Sequence, residues 1–385
     1  MLRNPLVWGL FLCLPGMCVC DDSSSTAPLP RHYTTQGQDR LDYTEMDTDR
    51  LAPLTELAQR YIWKRQHPRE CGKARFLINP LHRDGGFGSQ IHVATWALHY
   101  ALDEGMVMTW GHDDCWPYAD EETCGHNRNC GCFFQPLTNC SAEDVARNHT
   151  RIDVAELMYS HYMTVQRNTP APRALTRKLR RYFSFTNEEI RYWWRTQATA
   201  YLMRFNERTL GAILDIRSNA LNYGDFAFPL PKGSIHAHIR AGDKFNEMQL
   251  VPSSTFLSTA LRLSVENPFA YSKFLYVASD SSERIQDCLN ARPDGWTIGH
   301  AHMYRKPAGQ VNTEVQAPGY ADGHVGRLAL HHLTELMLAL EADAWIGTRG
   351  SSWNRLIDEL RCVAVDKCHM VFREVGDTQP GVYPW

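Results

Sequence analysis

The chain of 385 residues carries a formal net charge of -3 at pH 7, with 40 Lys and Arg against 43 Asp and Glu. A hydrophobic share of 43% beside 22% charged residues is that of a globular protein with one large or two medium domains. The near balance of charge excludes a chain built for bulk electrostatic binding to nucleic acid or anionic membrane, and leaves room for a local basic site.

At the N-terminus, Arg3 precedes an apolar run from Leu6 to Cys20 interrupted by Gly9, Pro15 and Gly16. The run is shorter than the roughly 20 apolar residues of a spanning helix, and Pro15 would break one. Cys18-Val-Cys20 ahead of Asp21-Asp22 offers small residues to a signal peptidase. Residues 1–20 read as a cleaved signal peptide, with an uncleaved signal anchor as the alternative. Either sends the chain into the secretory pathway, to the Golgi lumen or outside the cell. Residues 21–53, rich in Ser, Thr, Asp, Arg and Pro, read as a disordered stem. The stem holds Asp47-Thr-Asp49, a DxD pattern of the kind that binds a divalent metal. A metal–nucleotide site needs a preorganised pocket, which a linker does not supply, so no metal is expected there.

Residues 54–225 read as an N-terminal α/β domain. Leu54, Leu57, Ala58, Tyr61 and Ile62 fall at helical spacing, and Pro68 closes the helix. Phe76-Leu77-Ile78 is a short strand that runs into Arg83-Asp84-Gly85-Gly86-Phe87-Gly88, and a helix follows from Ser89 to Leu102. Strand, Gly-rich turn and helix open a nucleotide-binding type of βα unit. A Cys-rich insert comes next. Nine cysteines follow the leader: Cys71, Cys115, Cys124, Cys130, Cys132, Cys140, Cys288, Cys362 and Cys368. In an oxidising lumen most of them pair, with one thiol left over. Cys130-Gly-Cys132 lacks the paired CxxC spacing of a structural zinc site, so disulfides are the reading for the insert. Asn139-Cys-Ser141 and Asn148-His-Thr150 are acceptors for N-glycosylation at Asn139 and Asn148. Residues from Ile152 to Ser218 are mostly helical, and the stripe Tyr192, Trp193, Trp194, Ala198, Tyr201 and Leu202 reads as core packing.

Residues 226–385 read as a C-terminal Rossmann-like domain. Ser234 to Ile239 alternates as a strand, and Lys273 to Ala278 is a second strand ending in Ser279-Asp280-Ser281-Ser282. Ala329 to Glu341 is helical, Ala344 to Ile346 a strand, and Ser351 to Leu360 a helix. Strands ending in polar turns and followed by helices imply parallel sheets with the ligand at the carboxyl ends. The expected fold is thus α/β, with two Rossmann-like units facing a cleft.

Three strand-end clusters carry the candidate chemistry. In Gly86-Phe-Gly88-Ser-Gln90-Ile-His92 the glycines let the backbone approach a ligand, and the helix N-terminus favours negative charge. A tight βα turn without a ligand would use the same glycines. In His238-Ile-Arg240-Ala-Gly-Asp243-Lys244, residues 238 and 240 share one face of a strand, and Arg240 suits bidentate capture of a phosphate. Asp243 would orient Arg240 or hold a sugar hydroxyl; a surface ion-pair cluster is the plainer alternative. In Gly347-Thr-Arg-Gly-Ser351-Ser352, hydroxyls and backbone N–H groups again favour phosphate, although Ser at a helix start is also a common N-cap. Asp343, ahead of that strand, would accept hydrogen bonds from a base edge. All three point to an anionic, nucleotide-linked ligand.

These residues in this order resemble the alpha-1,6-fucosyltransferase family, over about Leu54 to Leu360. The resemblance rests on Leu54-Thr-Glu-Leu57 with Gln59-Arg60, Pro68, Cys71 and Lys73-Ala74, then on Gly86 to His92. It continues in Trp193-Trp194, Gln197 and Tyr201-Leu-Met-Arg204, and in His238-Ile-Arg240 with Asp243 and Lys244. Tyr276 to Asp280 and Ala342-Asp343 with Ser351-Ser352 complete it. It implies a GT-B-like fold and a donor, GDP-fucose, transferred with inversion to a glycan acceptor without a metal cofactor. It further implies that Arg240 grips the diphosphate, that His238 and Asp343 hold the nucleotide, and that Ser352 meets a phosphate. A general base must deprotonate the acceptor hydroxyl. The family has a Glu after its Asp-Lys pair; Glu247 stands one residue closer here, and Asp243 and Asp280 are the alternatives. The chain departs from the family where Arg-Arg becomes Arg240-Ala241, where Asp-Asp becomes Asp280-Ser281, and in a short tail ending at Trp385. Donor binding therefore transfers better than acceptor identity. The acceptors implied are the core GlcNAc of N-glycans or a related glycan, with a protein O-fucosyltransferase or a nucleotide-sugar-binding pseudoenzyme as the other readings.

Overall fold

The structure is a computed structural model that describes residues 54–80, 86–111, 116–126, 128–153, 157, 169–219, 229–242, 244, 248–301 and 325–376. The leader, the stem with its Asp47-Thr-Asp49 triplet, Cys115, Asp243 and Glu247 lie outside these residues.

Helix α1 (Thr55–Gln66) carries Glu56 in its first turn and Lys64 and Arg65 in its last, which suits the helix dipole. Two glutamines on its buried face fix its place. Gln59 Nε2 donates to the Gln197 backbone carbonyl at 2.9 Å, and Gln66 exchanges bonds of 2.7 and 3.0 Å with the backbone of Met108. Strand β1 (Phe76–Ile78) leads to α2 (Phe87–Asp103), β2 (Val107–Thr109), and the short helices α3 (Glu121–Cys124) and α4 (Ala142–Arg147). Strand β3 (His149–Arg151) completes a parallel sheet of order β2-β1-β3. Helices α5 (Arg173–Tyr182), α6 (Asn187–Leu202) and α7 (Glu207–Asn219) follow. A Thr186/Glu189 capping box starts α6, and its aromatic stripe is buried as expected.

The second sheet comprises β4 (Ile235–Ile239), α8 (Ser253–Glu266), β5 (Phe274–Ser279), α9 (Ser282–Asn290) and β6 (Thr297–Gly299). Helix α10 (Val325–Glu341), β7 (Ala344–Gly347), α11 (Ser352–Val363) and β8 (Val371–Glu374) finish it. All five strands are parallel, in the order β6-β5-β4-β7-β8. Alternation along β4 sends Ile235, Ala237 and Ile239 into one core with Leu275 and Val277. His236 and His238 therefore face the opposite side, where the His236 ring lies over Tyr276 at 5.9 Å.

The α/β architecture with two parallel sheets is the one the sequence implied. Helix α11 joins the layers. Buried Glu359 accepts from His92 Nε2 of α2 at 3.2 Å and from Thr199 Oγ1 of α6 at 2.6 Å. Burial, against the pull of Glu359, pushes His92 down to about 4, so it is neutral and donates its N–H.

Three disulfides join Cys71 to Cys140, Cys124 to Cys132 and Cys362 to Cys368. The expectation of a single spare thiol is corrected: Cys130 and Cys288 are both free and buried.

Candidate active site

Strand order sets where a ligand can approach. From β4 the chain winds outward through β5 to β6, then crosses to the other side of β4 to lay down β7 and β8. The crevice of such a sheet opens outside the carboxyl ends of the two strands at the reversal, here β4 and β7. Arg240 immediately follows β4, and Thr348 to Ser352 follow β7. The smaller sheet repeats this plan, with β1 central and the Gly86–Gly88 turn at its carboxyl end.

At the end of β4, Arg240 Nη1 pairs with Asp280 Oδ2, while Asp280 Oδ1 accepts the Ala241 backbone N–H at 2.8 Å. Asp280 follows β5, so this pair bridges two adjacent strand ends. Gly242 makes the approach feasible. Its φ is 48°, and a Cβ there would lie 2.6 Å from Asp280 Oδ2 and 3.1 Å from Arg240 Nη1. His238 is buried, and burial, with His236 and Arg240 adding to it, lowers its pKa well below the ordinary histidine value. The ring is therefore neutral. Ala241, where the resemblance implies a second Arg, is buried as well.

The loop after β7 is tied to β4 by Asn354, whose Nδ2 donates to the carbonyls of Thr348 at 3.1 Å and His238 at 3.4 Å. Ser351 is the N-cap of α11, and Ser352 Oγ accepts from Arg355 Nη2 at 2.8 Å. Arg349 turns inward, with Nε donating to Asp358 at 3.2 Å and its guanidinium over Phe372. It is a packing residue. The glycine turn meets α11 directly: a Cβ on Gly88 would lie 2.9 Å from Ser352 C and 3.0 Å from Ser352 O. Beside this contact, Phe87 packs edge-on against Trp353, with ring centroids 5.8 Å apart.

Gly86, Gly88, His238, Arg240, Asp280, Ser351 and Ser352 thus gather around the facing carboxyl ends of the two sheets. Asp343 does not join them. It precedes β7, at the amino end of the sheet, where its carboxylate accepts from Gly233 N at 2.7 Å and pairs with Lys367 Nζ at 3.1 Å. Asn139 and Asn148 are exposed on the insert, remote in sequence from these clusters. Among the described residues, no three His, Cys, Asp or Glu side chains gather where they could hold a metal ion.

Two contributors escaped the sequence reading. Asn354 is a buried polar group on the apolar face of α11, and that pattern breach was its signal. Glu335 of α10 accepts from the buried Tyr276 hydroxyl at 2.6 Å, and nothing in its helical context singled it out.

Residues 33–305 match the family model described as alpha-(1,6)-fucosyltransferase N- and catalytic domains. This chain belongs to the alpha-(1,6)-fucosyltransferase family. The match takes in the glycine turn, His238, Arg240 and Asp280, and ends before Ser351 and Ser352, whose place in the site rests on the geometry above. An alpha-(1,6)-fucosyltransferase of Drosophila melanogaster is 22% identical over 266 residues, covering 66% of this chain and 40% of the fly protein. One from Caenorhabditis elegans is 24% identical over 210 residues, covering 51% of this chain and 35% of its own length. The chain therefore spans about two-fifths of the length of the curated relatives it matches. Among solved structures, NodZ alpha-1,6-fucosyltransferase soaked with GDP-fucose aligns at 15% identity and TM-score 0.38, over 75% of this chain and 93% of that one. POFUT1 in complex with GDP-fucose aligns at 12% identity and TM-score 0.36, over 79% and 99%.

Proposed function

We propose that this protein transfers fucose from GDP-fucose to a glycan, with inversion and without a metal ion, the core GlcNAc of N-glycans being the acceptor in an alpha-1,6 linkage. The observation that carries the reading is the contact of the Gly86–Gly88 turn with the Ser352 start of α11, beside the end of the adjacent strand β4 that carries Arg240. A nucleoside diphosphate is the ligand class for such a site. A guanidinium takes phosphate oxygens bidentately, and the N-terminus of a helix presents free N–H groups and positive dipole to the same charge. As the bond between fucose and GDP breaks, these fixed donors stabilise the departing diphosphate where other enzymes use a divalent cation. Asp280 has both carboxylate oxygens engaged, by Arg240 and by Ala241 N, so it positions the guanidinium. The base that takes the acceptor proton is then Glu247 or Asp243, in the segment after Arg240.

The disulfides support an oxidising lumen of the secretory pathway as the setting proposed for this chemistry, with Asn139 and Asn148 as proposed glycan attachment points. A specific observation favours a second reading. Ala241 is buried where the family has an arginine, so a chain that binds GDP-fucose without turnover would keep this geometry. Calorimetry tests the donor site that both readings share, and detection of fucose transfer separates them. Arg240→Ala should weaken GDP binding by about 10- to 100-fold at unchanged circular dichroism, the loss for a hydrogen-bonded charged contact. GDP binding equal to wild type in that variant removes the diphosphate assignment. Transfer is expected to persist in excess EDTA, and a strict requirement for added manganese refutes metal independence.

A further inference from the structure

Helix α5 buries Leu175, Thr176 and Leu179 and exposes Arg173, Arg177, Lys178, Arg180 and Arg181. No acidic residue interrupts it. In a chain with a net charge of -3, this puts five basic side chains on one face. Among the described residues, Arg173 has carboxylate partners, with Asp103 and Glu104 each at 3.6 Å. The other contacts orient the helix without neutralising it. Arg177 Nε donates to the Arg173 carbonyl at 3.4 Å, and Arg180 Nη2 donates to Asn187 Oδ1 at 2.6 Å. Arg65 at the end of α1 lies near the patch: Tyr61, whose pKa is raised first by burial, feels Arg65, Asp103 and Arg177 together.

A second feature adjoins the charge. Tyr182 and Phe183 are 64% and 40% exposed, and among the described residues they are two of a handful of large apolar side chains left in solvent. The Arg181 guanidinium lies 5.5 Å from the Tyr182 ring centroid.

The partner follows from shape and chemistry. Residues 173, 177 and 181 lie four apart, so their side chains form a stripe along the helix about 12 Å long. Arg177-Lys178-Leu179-Arg180-Arg181 is a basic run of the kind that recognises nucleic acid or heparin-like chains. Three disulfides put the folded chain in an oxidising compartment, where the extended polyanions are sulfated polysaccharides. A bilayer surface fits less well. An interfacial helix inserts its apolar face, and here Leu175 and Leu179 are already consumed by the protein's own core.

We propose that the exposed face of α5, with Tyr182 at its end, docks a sulfated polysaccharide. The contact is electrostatic, and Arg173 meets Asp103 at the opposite end of α2 from the Gly86–Gly88 turn, so it would tether the enzyme to anionic glycans or glycoproteins without taking part in the reaction.

The test is retention of the full chain on immobilised heparin, with salt elution. Wild type should be retained at physiological salt. Arg177→Glu with Arg181→Glu should flow through, with affinity lower by about 100-fold and a log–log salt slope smaller by about 2. Arg177→Lys with Arg181→Lys should restore retention, and all variants should melt as wild type does because the positions are exposed. Failure of wild type to bind, or equal retention of the double Glu variant, overturns the proposal. Equal binding to desulfated heparin overturns the role of sulfate. Binding to phosphatidylserine vesicles without binding to heparin overturns the polysaccharide assignment and makes α5 a lipid-surface helix.

Discussion

His236 sits in the middle of β4 with its ring buried against Tyr276 and its Nε2 without a partner among the described residues. Burial alone pushes its pKa down to about 3, from an ordinary value of 6.5. The sign of the consequence is fixed by linkage. Above pH 6.5 both folded and unfolded chains carry this ring neutral. As pH falls below 6.5 the unfolded chain takes up a proton that the native state refuses, so stability drops. Between pH 7 and pH 5 the loss from this one residue is about 2 kcal/mol. His92, held down to about 4, contributes about 2 kcal/mol over the same interval, and His238 acts in the same direction. His236→Phe keeps a flat apolar ring beside Tyr276 and removes the titration. Urea unfolding at pH 7, 6 and 5, followed by circular dichroism, should show the variant losing about 2 kcal/mol less than wild type on acidification. Equal pH dependence in the two proteins refutes the reasoning, because the imidazole would then not be excluded from water in the native state.

Three further predictions concern the joints of the site. Gly88→Val places side-chain atoms against the Ser352 backbone, where even a Cβ lies at 2.9 Å; thermal melts should show a loss of about 1–3 kcal/mol from this overpacking. Gly86→Ala meets nothing within 4 Å and should stay close to wild type. Glu359→Ala strands buried His92 and Thr199 and should cost about 2–5 kcal/mol in urea unfolding, with Glu359→Gln costing less because it keeps both contacts in place. Replacing Cys71 and Cys140 together by Ser opens a loop with a separation of 69 residues and should lower stability by about 4 kcal/mol, measured against the same double variant of Cys124 and Cys132, whose separation of 8 confers less.

How much of this was legible in the sequence depends on the range of the contact. β4 was readable because Ile235, Ala237 and Ile239 face a core that only a period of two can fill. β3 was not, since His149 to Arg151 are exposed and hold their place by pairing with Phe76 to Ile78. Strands β2, β6 and β8 and helices α8 and α9 form where no pattern was read, the strands being only three or four residues long. Within the site, glycines and an arginine at strand ends announced themselves locally. The contacts that hold them were not readable: Asp280 was marked as a candidate, but its reach to Ala241 across 39 positions was not, nor that of Asn354 to His238 across 116 or of Glu359 to His92 across 267. Asp343 carries a different lesson. It stands before its strand, and in a parallel sheet that alone puts it at the amino end, away from the ligand crevice.

The central claim is transfer of fucose from GDP-fucose, and mass spectrometry of acceptor glycans incubated with the purified protein and GDP-fucose in EDTA tests it most directly. A gain of one deoxyhexose on an N-glycan, located by fragmentation on the core GlcNAc and absent with Arg240→Ala, is the predicted result. No mass gain on N-glycans, chitooligosaccharides or folded protein acceptors, from a protein that also fails to bind GDP, contradicts it.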